Sequence, residues 1–211
     1  MARAAYAVLW KLPRRIRNRV LERQLARDPG YSFTADYVSS VESGWQELLK
    51  ELRGRRNLRV LEIGSYEGRS AVWFLDNVLT DPTSTLTCID AWSWREDELR
   101  FEHNLRISGH AAKVTKLKGP SDEVLPRLPR DSFDLIYVDG SHRATNVLMD
   151  GALAWQRVKP GGIVIFDDYR WDPHKPPHER PEMAVDLLLE LIDGRYELLL
   201  KGYQLAIRRP A

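Results

Sequence analysis

From residue 58 onward, short apolar runs alternate with longer stretches in which apolar residues recur every three or four positions. The short runs predict buried β-strands, and the longer stretches predict amphipathic helices. Two runs, FDLIYV and GGIVIF, are almost continuously apolar, which is typical of central strands covered on both faces. The predicted strands are 58–64, 86–90, 114–119, 133–139, 162–168, 196–201 and 203–209, and the predicted helices are 69–79, 96–108, 122–128, 145–158 and 182–192.

Alternating strands and helices predict a parallel sheet, and right-handed crossovers place helices on both of its faces. The last two strands are separated by little more than Gly202, so they form an antiparallel hairpin. We therefore predict an α/β fold, Rossmann-like and doubly wound, with a seven-stranded, mostly parallel sheet. This domain spans residues 53–211 and follows a basic helical segment, residues 1–52.

The chain has 211 residues, of which 43% are hydrophobic and 29% are charged. This composition supports one sizeable core. Since no apolar run reaches the roughly 18 residues of a membrane span and no cleavage site follows an apolar core, we expect a cytoplasmic protein. The single cysteine, Cys88, cannot form an internal disulfide and suits a reducing compartment.

The N-terminal segment concentrates positive charge. Residues 1–30 carry a net charge of +6, so the remainder carries −4, which argues against a broad nucleic-acid-binding surface. Leu9, Leu12, Ile16 and Val20 recur at helical spacing among arginines. Such a helix suits an anionic membrane surface or a partner subunit, or it packs on its own domain. A second helical pattern, at 36–52, is predicted to cap the opening of a site.

Acidic residues stand at the ends of four predicted strands: Glu62, Asp90, Asp139 and the pair Asp167 and Asp168. The carboxyl ends of parallel strands share one edge of the sheet, where open α/β sheets bind ligands. One such acid often only caps a turn. Four acidic strand ends together favour a binding site.

The loop after the first strand reads GSYEGRS, in which Gly64 and Gly68 permit a tight turn before a helix. It departs from the G-x-G-x-x-G pattern because Tyr66 occupies the position of the glycine that admits a pyrophosphate. Asp90, at the end of the next strand, is suited to accept hydrogen bonds from two ribose hydroxyls. The predicted ligand is a nucleoside without a pyrophosphate.

The segments VLEIGSYEGRSAVWF and CIDAW resemble the first two motifs of class I S-adenosylmethionine-dependent methyltransferases, and the resemblance extends over about residues 58–170. Within that superfamily the chain is similar to the catechol O-methyltransferase type and to the cephalosporin-hydroxylase-like, or sugar O-methyltransferase, group. The resemblance implies a cofactor pocket of Glu62, Gly64, Ser65, Tyr66, Gly68, Ser70, Asp90, Ala91, Trp92, Ser121, Asp122 and Asp139. Ser121 and Asp122 would hold the adenine edge, although Ser121 also suits a helix N-cap.

Three carboxylates at adjacent strand ends repel one another unless they are protonated or neutralised, and oxygen ligands favour Mg²⁺. The matching positions in metal-dependent relatives bind Mg²⁺, which makes Asp139, Asp167 and Asp168 the predicted ligands. The alternative is a metal-free site in which they only position ligands. His142 lies three residues after Asp139, where the catechol type has a basic lysine, and is the predicted catalytic base beside Asp139. A histidine with a purely structural role is the competing interpretation.

These assignments predict methyl transfer to a metal-bound hydroxyl without a covalent enzyme intermediate. A proline-rich loop follows the acidic pair, and the predicted substrate contacts are Trp94, Tyr169, Trp171 and His174. Base-modifying methyltransferases usually have an Asp/Asn-Pro-Pro-aromatic motif where this chain has Asp-Gly-Ser-His, so nucleic acid is not expected as a substrate. A sugar or natural-product hydroxyl is favoured because Asp168 replaces the Asn of the catechol type. The alternatives are a nucleic-acid or other metal-independent methyltransferase and a non-catalytic S-adenosylmethionine-binding protein.

Overall fold

The structure is a computed structural model that describes residues 13–211, and within them it contains one seven-stranded sheet in the order β3-β2-β1-β4-β5-β7-β6. The strands are β1 (Arg59–Ile63), β2 (Thr85–Asp90), β3 (Val114–Lys118), β4 (Phe133–Val138), β5 (Val158–Phe166), β6 (Glu197–Lys201) and β7 (Leu205–Arg208). Strands β1 to β5 pair in parallel, whereas β7 runs antiparallel to both β5 and β6. The predicted topology is confirmed.

Helices cover both faces of the sheet. They are α1 (Arg14–Leu25), α2 (Glu42–Leu48), α3 (Arg69–Asn77), α4 (Arg95–Ser108), α5 (Ser121–Val124), α6 (Ala144–Trp155) and α7 (Pro181–Leu191). One hydrophobic layer packs α2, α3 and α4 against the sheet, and the other packs α5, α6 and α7. Successive residues of a strand point to opposite faces, so Leu135 enters the first layer and Ile136 the second.

Three predicted boundaries are wrong. Strand β5 begins at Val158, where the preceding helix was expected to continue, and Gly161 bends it at φ +79°. The helix predicted at 122–128 is one α-turn followed by a 3₁₀ turn that contains Pro126, which lacks an N–H for a longer helix. The pattern at 36–52 forms a helix only over α2, because the carboxylate of Asp36 accepts hydrogen bonds from the backbone N–H groups of Val38 and Ser39 and holds a turn.

The described part of the basic N-terminal segment packs on its own domain. Arg17 forms an ion pair with Glu96, with 2.5 Å between Nη2 and Oε1, and Arg14 donates to the carbonyl of Ser93 at 2.9 Å. Of the predicted apolar stripe, Leu9 and Leu12 lie outside the described residues, and Ile16 is exposed. Among residues 13–211, the helices are all too short or too polar to cross a membrane.

Candidate active site

A cavity of about 840 Å³ opens at the carboxyl ends of β1, β2, β4 and β5. Strands β1 and β4 are neighbours, so the strand order reverses here, as expected of a binding site in an open α/β sheet. The cavity brings together many predicted site residues: Gly64, Tyr66, Asp90, Ala91, Ser121, Asp122, Asp139, His142, Asp167, Asp168 and Trp171. Its volume is in the range that holds a drug-sized ligand.

Asp90 sits at one end of the cavity and is held by backbone groups. Its Oδ2 accepts from the N–H of Tyr66 at 2.8 Å, and its Oδ1 accepts from the N–H of Trp92 at 2.6 Å. The indole of Trp92 donates to the carbonyl of Tyr66 at 2.8 Å, which ties the loops after β1 and β2 together. A carboxylate has about four acceptor sites, so Asp90 keeps capacity for the two hydroxyls of a ribose.

Gly64 allows the ends of β1 and β4 to approach each other. Its φ is +89°, and a Cβ placed there would lie 1.9 Å from the carbonyl oxygen of Asp139. No side chain fits that gap, so glycine is required both by conformation and by space.

Five predicted cofactor residues do not line the cavity: Glu62, Ser65, Gly68, Ser70 and Trp92. Glu62 is fully buried, accepts from Ser70 Oγ at 2.6 Å, and has its pKa raised by burial. Ser65 is buried, and Gly68 begins α3 with a φ of +82°. Trp92 is also buried, in the core against Phe101. These residues therefore support the loop after β1 and do not line the cavity.

A segment before α2, which leads into the 36–52 pattern predicted to cap the opening of a site, forms one wall of the cavity. Thr34 donates through its N–H and its hydroxyl to the buried carboxylate of Glu67, at 2.6 and 2.9 Å. The hydroxyl of Tyr66 lies 3.1 Å from Thr34 Oγ1. These contacts bring Asp36 and Tyr37 to the cavity.

At the end where adenine is predicted to bind, α6 adds residues that the sequence analysis missed. Asp150 joins Ser121 and Asp122 in the lining. Burial raises the pKa of Asp150 to about 6, and a hydrogen bond from Ser121 opposes that change. The sequence did contain a sign of this role. Asp150 falls three residues after Val147, which places an acidic residue on the buried face of an otherwise apolar helix.

The opposite end of the cavity concentrates negative charge. Burial, followed by the charges of Asp167 and Asp168, raises the pKa of Asp139 well above its usual range. Burial and the charge of Asp168 also raise the pKa of Asp167, which accepts from the amide of Gln204 at 2.5 Å. Burial would raise the pKa of Asp168 too, but hydrogen bonds from His142 and the hydroxyl of Tyr203 lower it.

The acidic end also fits a metal ion. Ligand atoms of Asp139, His142 and Asp168 lie within 4.8 Å of one another. His142 Nε2 is 2.6 Å from Asp168 Oδ2, and its ring stacks on Trp171 with centroids 4.5 Å apart. Asp167 was predicted as a ligand but lies outside this group of three, although its side chain lines the same cavity.

The structure brings only Trp171 of the four predicted substrate contacts to the cavity. Trp94 lies beneath the guanidinium of Arg14, 4.8 Å away. Tyr169 is buried and donates its hydroxyl to Asp186 at 2.9 Å. His174 lies in the proline-rich loop outside the lining. Tyr203, which the sequence analysis missed, lines the cavity from the C-terminal hairpin.

Comparison with known proteins identifies the family of this fold and site. Residues 61–169, more than half of the chain, match the family model described as a methyltransferase domain. The chain belongs to this family. The predicted resemblance to class I methyltransferases is thereby confirmed.

Two curated relatives match this methyltransferase domain. Uncharacterized protein R132 of Acanthamoeba polyphaga mimivirus is 31% identical over 130 residues, which are 57% of each chain. Catechol O-methyltransferase of Mycobacterium tuberculosis is 26% identical over 110 residues, which are 52% of this chain and 47% of the relative. The chain thus spans about half the length of these relatives.

A solved structure confirms the fold. The O-methyltransferase TomG of Streptomyces achromogenes, crystallised with S-adenosylmethionine, superposes with a TM-score of 0.64 and 20% identity, over 95% of this chain and 91% of TomG. At that identity the likeness establishes the architecture of the methyltransferase domain alone.

Proposed function

We propose that this methyltransferase domain transfers the methyl group of S-adenosylmethionine to a hydroxyl group of a small molecule in the cytoplasm. The observation that carries the proposal is the single cavity that joins Asp90, a ribose acceptor, to the cluster of Asp139, His142 and Asp168. Two compared proteins support it, because both are named as O-methyltransferases and TomG was crystallised with this methyl donor.

S-adenosylmethionine supplies an electrophilic methyl group on a cationic sulfonium. The residues present fit that molecule. Asp90 is oriented to accept from the ribose hydroxyls, and Ser121 and Asp150 offer polar atoms for the adenine edge. Gly64 lines the same cavity and would contact the amino-acid part of the donor. Holding a donor and an acceptor in the reactive orientation removes up to about 7–11 kcal/mol of a reaction barrier in well-oriented reactions.

The acidic end fits Mg²⁺ because carboxylate oxygens, the ligands this ion prefers, converge there from Asp139 and Asp168, with Asp167 lining the same cavity. When bound there, a divalent cation lowers the pKa of a hydroxyl group that it contacts. Asp139 and Asp168 would hold the ion, with either Asp167 or His142 completing the set. Gln204 and Tyr203 orient the two neighbouring carboxylates, Asp167 and Asp168.

His142 is the proposed base. Asp168 Oδ2 accepts from Nε2, so the lone pair of the neutral imidazole lies on Nδ1, which we assign to taking the proton of the acceptor hydroxyl. Trp171 stacks on the ring and fixes its plane. Proton transfer of this kind contributes about 10²- to 10⁴-fold to a rate.

The cavity mouth favours a sugar or a similar polyol as the acceptor. Tyr37, Tyr203 and Trp171 line it, and Tyr37 and Tyr203 are at least half exposed. Aromatic rings in this setting pack against the apolar faces of ligand rings. A neutral polyol also tolerates the negative charge of Asp168 better than an ionised catechol does.

The experiment is a methyl-transfer assay with radiolabelled donor and a panel of sugars, phenols and natural-product alcohols. Each is measured after strict chelation and after Mg²⁺ is restored. We expect turnover of a hydroxylated acceptor that chelation abolishes and that His142→Ala lowers by about 100-fold or more. His174→Ala is the matched control and should keep full activity.

Four results would contradict the proposal or a part of it. Turnover that survives chelation would contradict the proposed role of the metal. Full turnover in His142→Ala would contradict the role of His142 as the base. Calorimetry that detects no binding of S-adenosylmethionine removes the function itself. Loss of Mg²⁺ affinity in His142→Ala, but not in Asp167→Asn, would make His142 a ligand in place of a base.

A further inference from the structure

We propose that helix α1 docks this protein onto a membrane surface that carries anionic lipids. Three arginines of α1 recur every four residues, Arg15, Arg19 and Arg23, and Arg27 continues the series just after the helix. Residues four apart share one face of a helix. All four are exposed, so they form a continuous basic face.

The opposite face of α1 packs against the rest of the domain, so the basic face points outward. Leu25 is buried, and Arg106 donates to its carbonyl at 3.2 Å. Arg17 pairs with Glu96 on α4, and Arg14 is held by Ser93. The exposed arginines therefore point away from the body of the protein.

These charges have no ion-pair partner in the described part of the chain. Among residues 13–211, no carboxylate oxygen lies within 4 Å of a guanidinium nitrogen of Arg15, Arg19, Arg23 or Arg27. Like charges four residues apart on a helix are mutually destabilising. A face of this kind costs stability unless an anionic partner occupies it.

Apolar groups beside the basic face favour a lipid surface as that partner. Ile16, next to Arg15 in the chain and three residues before Arg19, is 49% exposed. Trp94 is 54% exposed near the start of α1, on the side where Arg14 is held to the domain. The sequence that precedes the helix, AAYAVLWKL at 4–12, is mostly apolar and contains Trp10. Basic residues combined with exposed tryptophan and aliphatic groups are typical of helices that lie in the plane of a membrane interface.

Charge outside the segment argues against nucleic acid. Residues 31–211 carry a net charge of −4, whereas residues 1–30 carry +6. A polyanion that extends beyond α1 would be repelled by the body, but a flat bilayer touches only the projecting helix. The inference stands independently of the reaction at the cavity.

Flotation of the full chain with vesicles tests the proposal. Vesicles of phosphatidylcholine alone are compared with vesicles that contain about 30% phosphatidylglycerol, at low and high salt. We expect binding at least tenfold stronger to the anionic vesicles, lost at high salt. The variant Arg15→Gln/Arg19→Gln/Arg23→Gln should lower that binding by tenfold or more.

The matched control is Arg53→Gln/Arg55→Gln/Arg56→Gln, which removes the same charge from exposed positions before β1. It should bind vesicles like the unaltered chain. An equal loss in both variants, no preference for anionic vesicles, or full binding by the α1 variant would overturn the proposal. So would α1-dependent binding of a single-stranded oligonucleotide without binding of vesicles. Unchanged thermal unfolding of both variants establishes that the folds are intact.

Discussion

The two ends of the cavity are built on opposite electrostatic principles. At the end formed by β1 and β2, the charge of Asp90 is met by two backbone N–H groups at 2.6 and 2.8 Å. At the end formed by β4 and β5, the carboxyl groups of Asp139 and Asp167 are buried close together, and their pKa values are raised. Backbone groups of the fold already compensate the charge at the first end. The charge at the second end is compensated only by a bound cation or a proton.

This difference suggests that the first end serves ligand binding and the second end serves catalysis. A carboxylate held by backbone groups binds a neutral ligand without rearrangement. Clustered carboxyl groups with perturbed pKa values are typical of functional sites, because their repulsion is relieved by a cation or a proton. We therefore expect substitutions at the first end to act on donor affinity and substitutions at the second to act on turnover.

The largest loss of stability is expected at Gly64, where the end of β1 contacts the end of β4. Gly64→Ala should destabilise the protein by about 3 kcal/mol or more, because its Cβ collides with the backbone of Asp139. Gly109→Ala is the matched control. Its φ is also positive, at +75°, but nothing lies within 4 Å of the new Cβ, so about 1 kcal/mol is expected. Urea unfolding measures both, and equal losses would show that the strand ends are not in close contact.

Next in size is the contrast between Asp139→Asn and Asp90→Asn. Asp139→Asn removes a repelled charge, so without metal it should raise stability by about 1 kcal/mol while lowering turnover by about 100-fold or more. Asp90→Asn should instead weaken donor binding by about tenfold, since an amide accepts fewer hydrogen bonds than a carboxylate. Calorimetry and chemical unfolding separate the two. A loss of stability in Asp139→Asn would contradict the comparison.

Two further acids sharpen the comparison through pH: Glu98, which does not line the cavity, and Asp150, which does. Burial alone would raise the pKa of Glu98, but hydrogen bonds from Lys116, Lys118 and Arg95 lower it to about 2. Glu98 therefore contributes stability above its usual pKa of 4.5, and this contribution is lost as the pH falls from 4.5 towards 2. In Glu98→Gln we expect a loss of about 2 kcal/mol at neutral pH that disappears in acid.

Asp150 has the opposite sign. Its pKa is raised to about 6, so its contribution to stability is greatest below the usual 3.8 and falls as the pH rises to about 6. Asp150→Asn should therefore gain about 1 kcal/mol at neutral pH and nothing in acid. Unfolding curves at several pH values check both variants. Parallel pH profiles for the two would disprove the assigned directions.

The last prediction concerns Trp171, one of the aromatic side chains that line the cavity. Trp171→Ala should lower kcat by about tenfold because the ring of His142 loses its stacking partner. Trp94→Ala, a control outside the cavity, should change it less than about twofold. Steady-state kinetics with the acceptor found in the panel decides between them.

The sequence allowed the fold and the acidic strand ends to be predicted, because both depend on local pattern. Asp90 and Asp139 follow apolar runs directly, and parallel strands bring their ends to one edge. Asp150 and Tyr203 could not be placed in the same way, because their positions depend on how a helix and a hairpin pack over the sheet. Trp94 was misplaced for a related reason, since its contact, Arg14, lies 80 residues earlier in the chain.

Gln204 has a consequence for how the protein is made. Its amide donates to Asp167 and accepts from the indole of Trp45 on α2, which lies 159 residues earlier. A ribosome must therefore have synthesised the chain as far as residue 204 before the acidic end can take its final form. The nascent polypeptide can form the end of the cavity that holds Asp90 before it completes the acidic end.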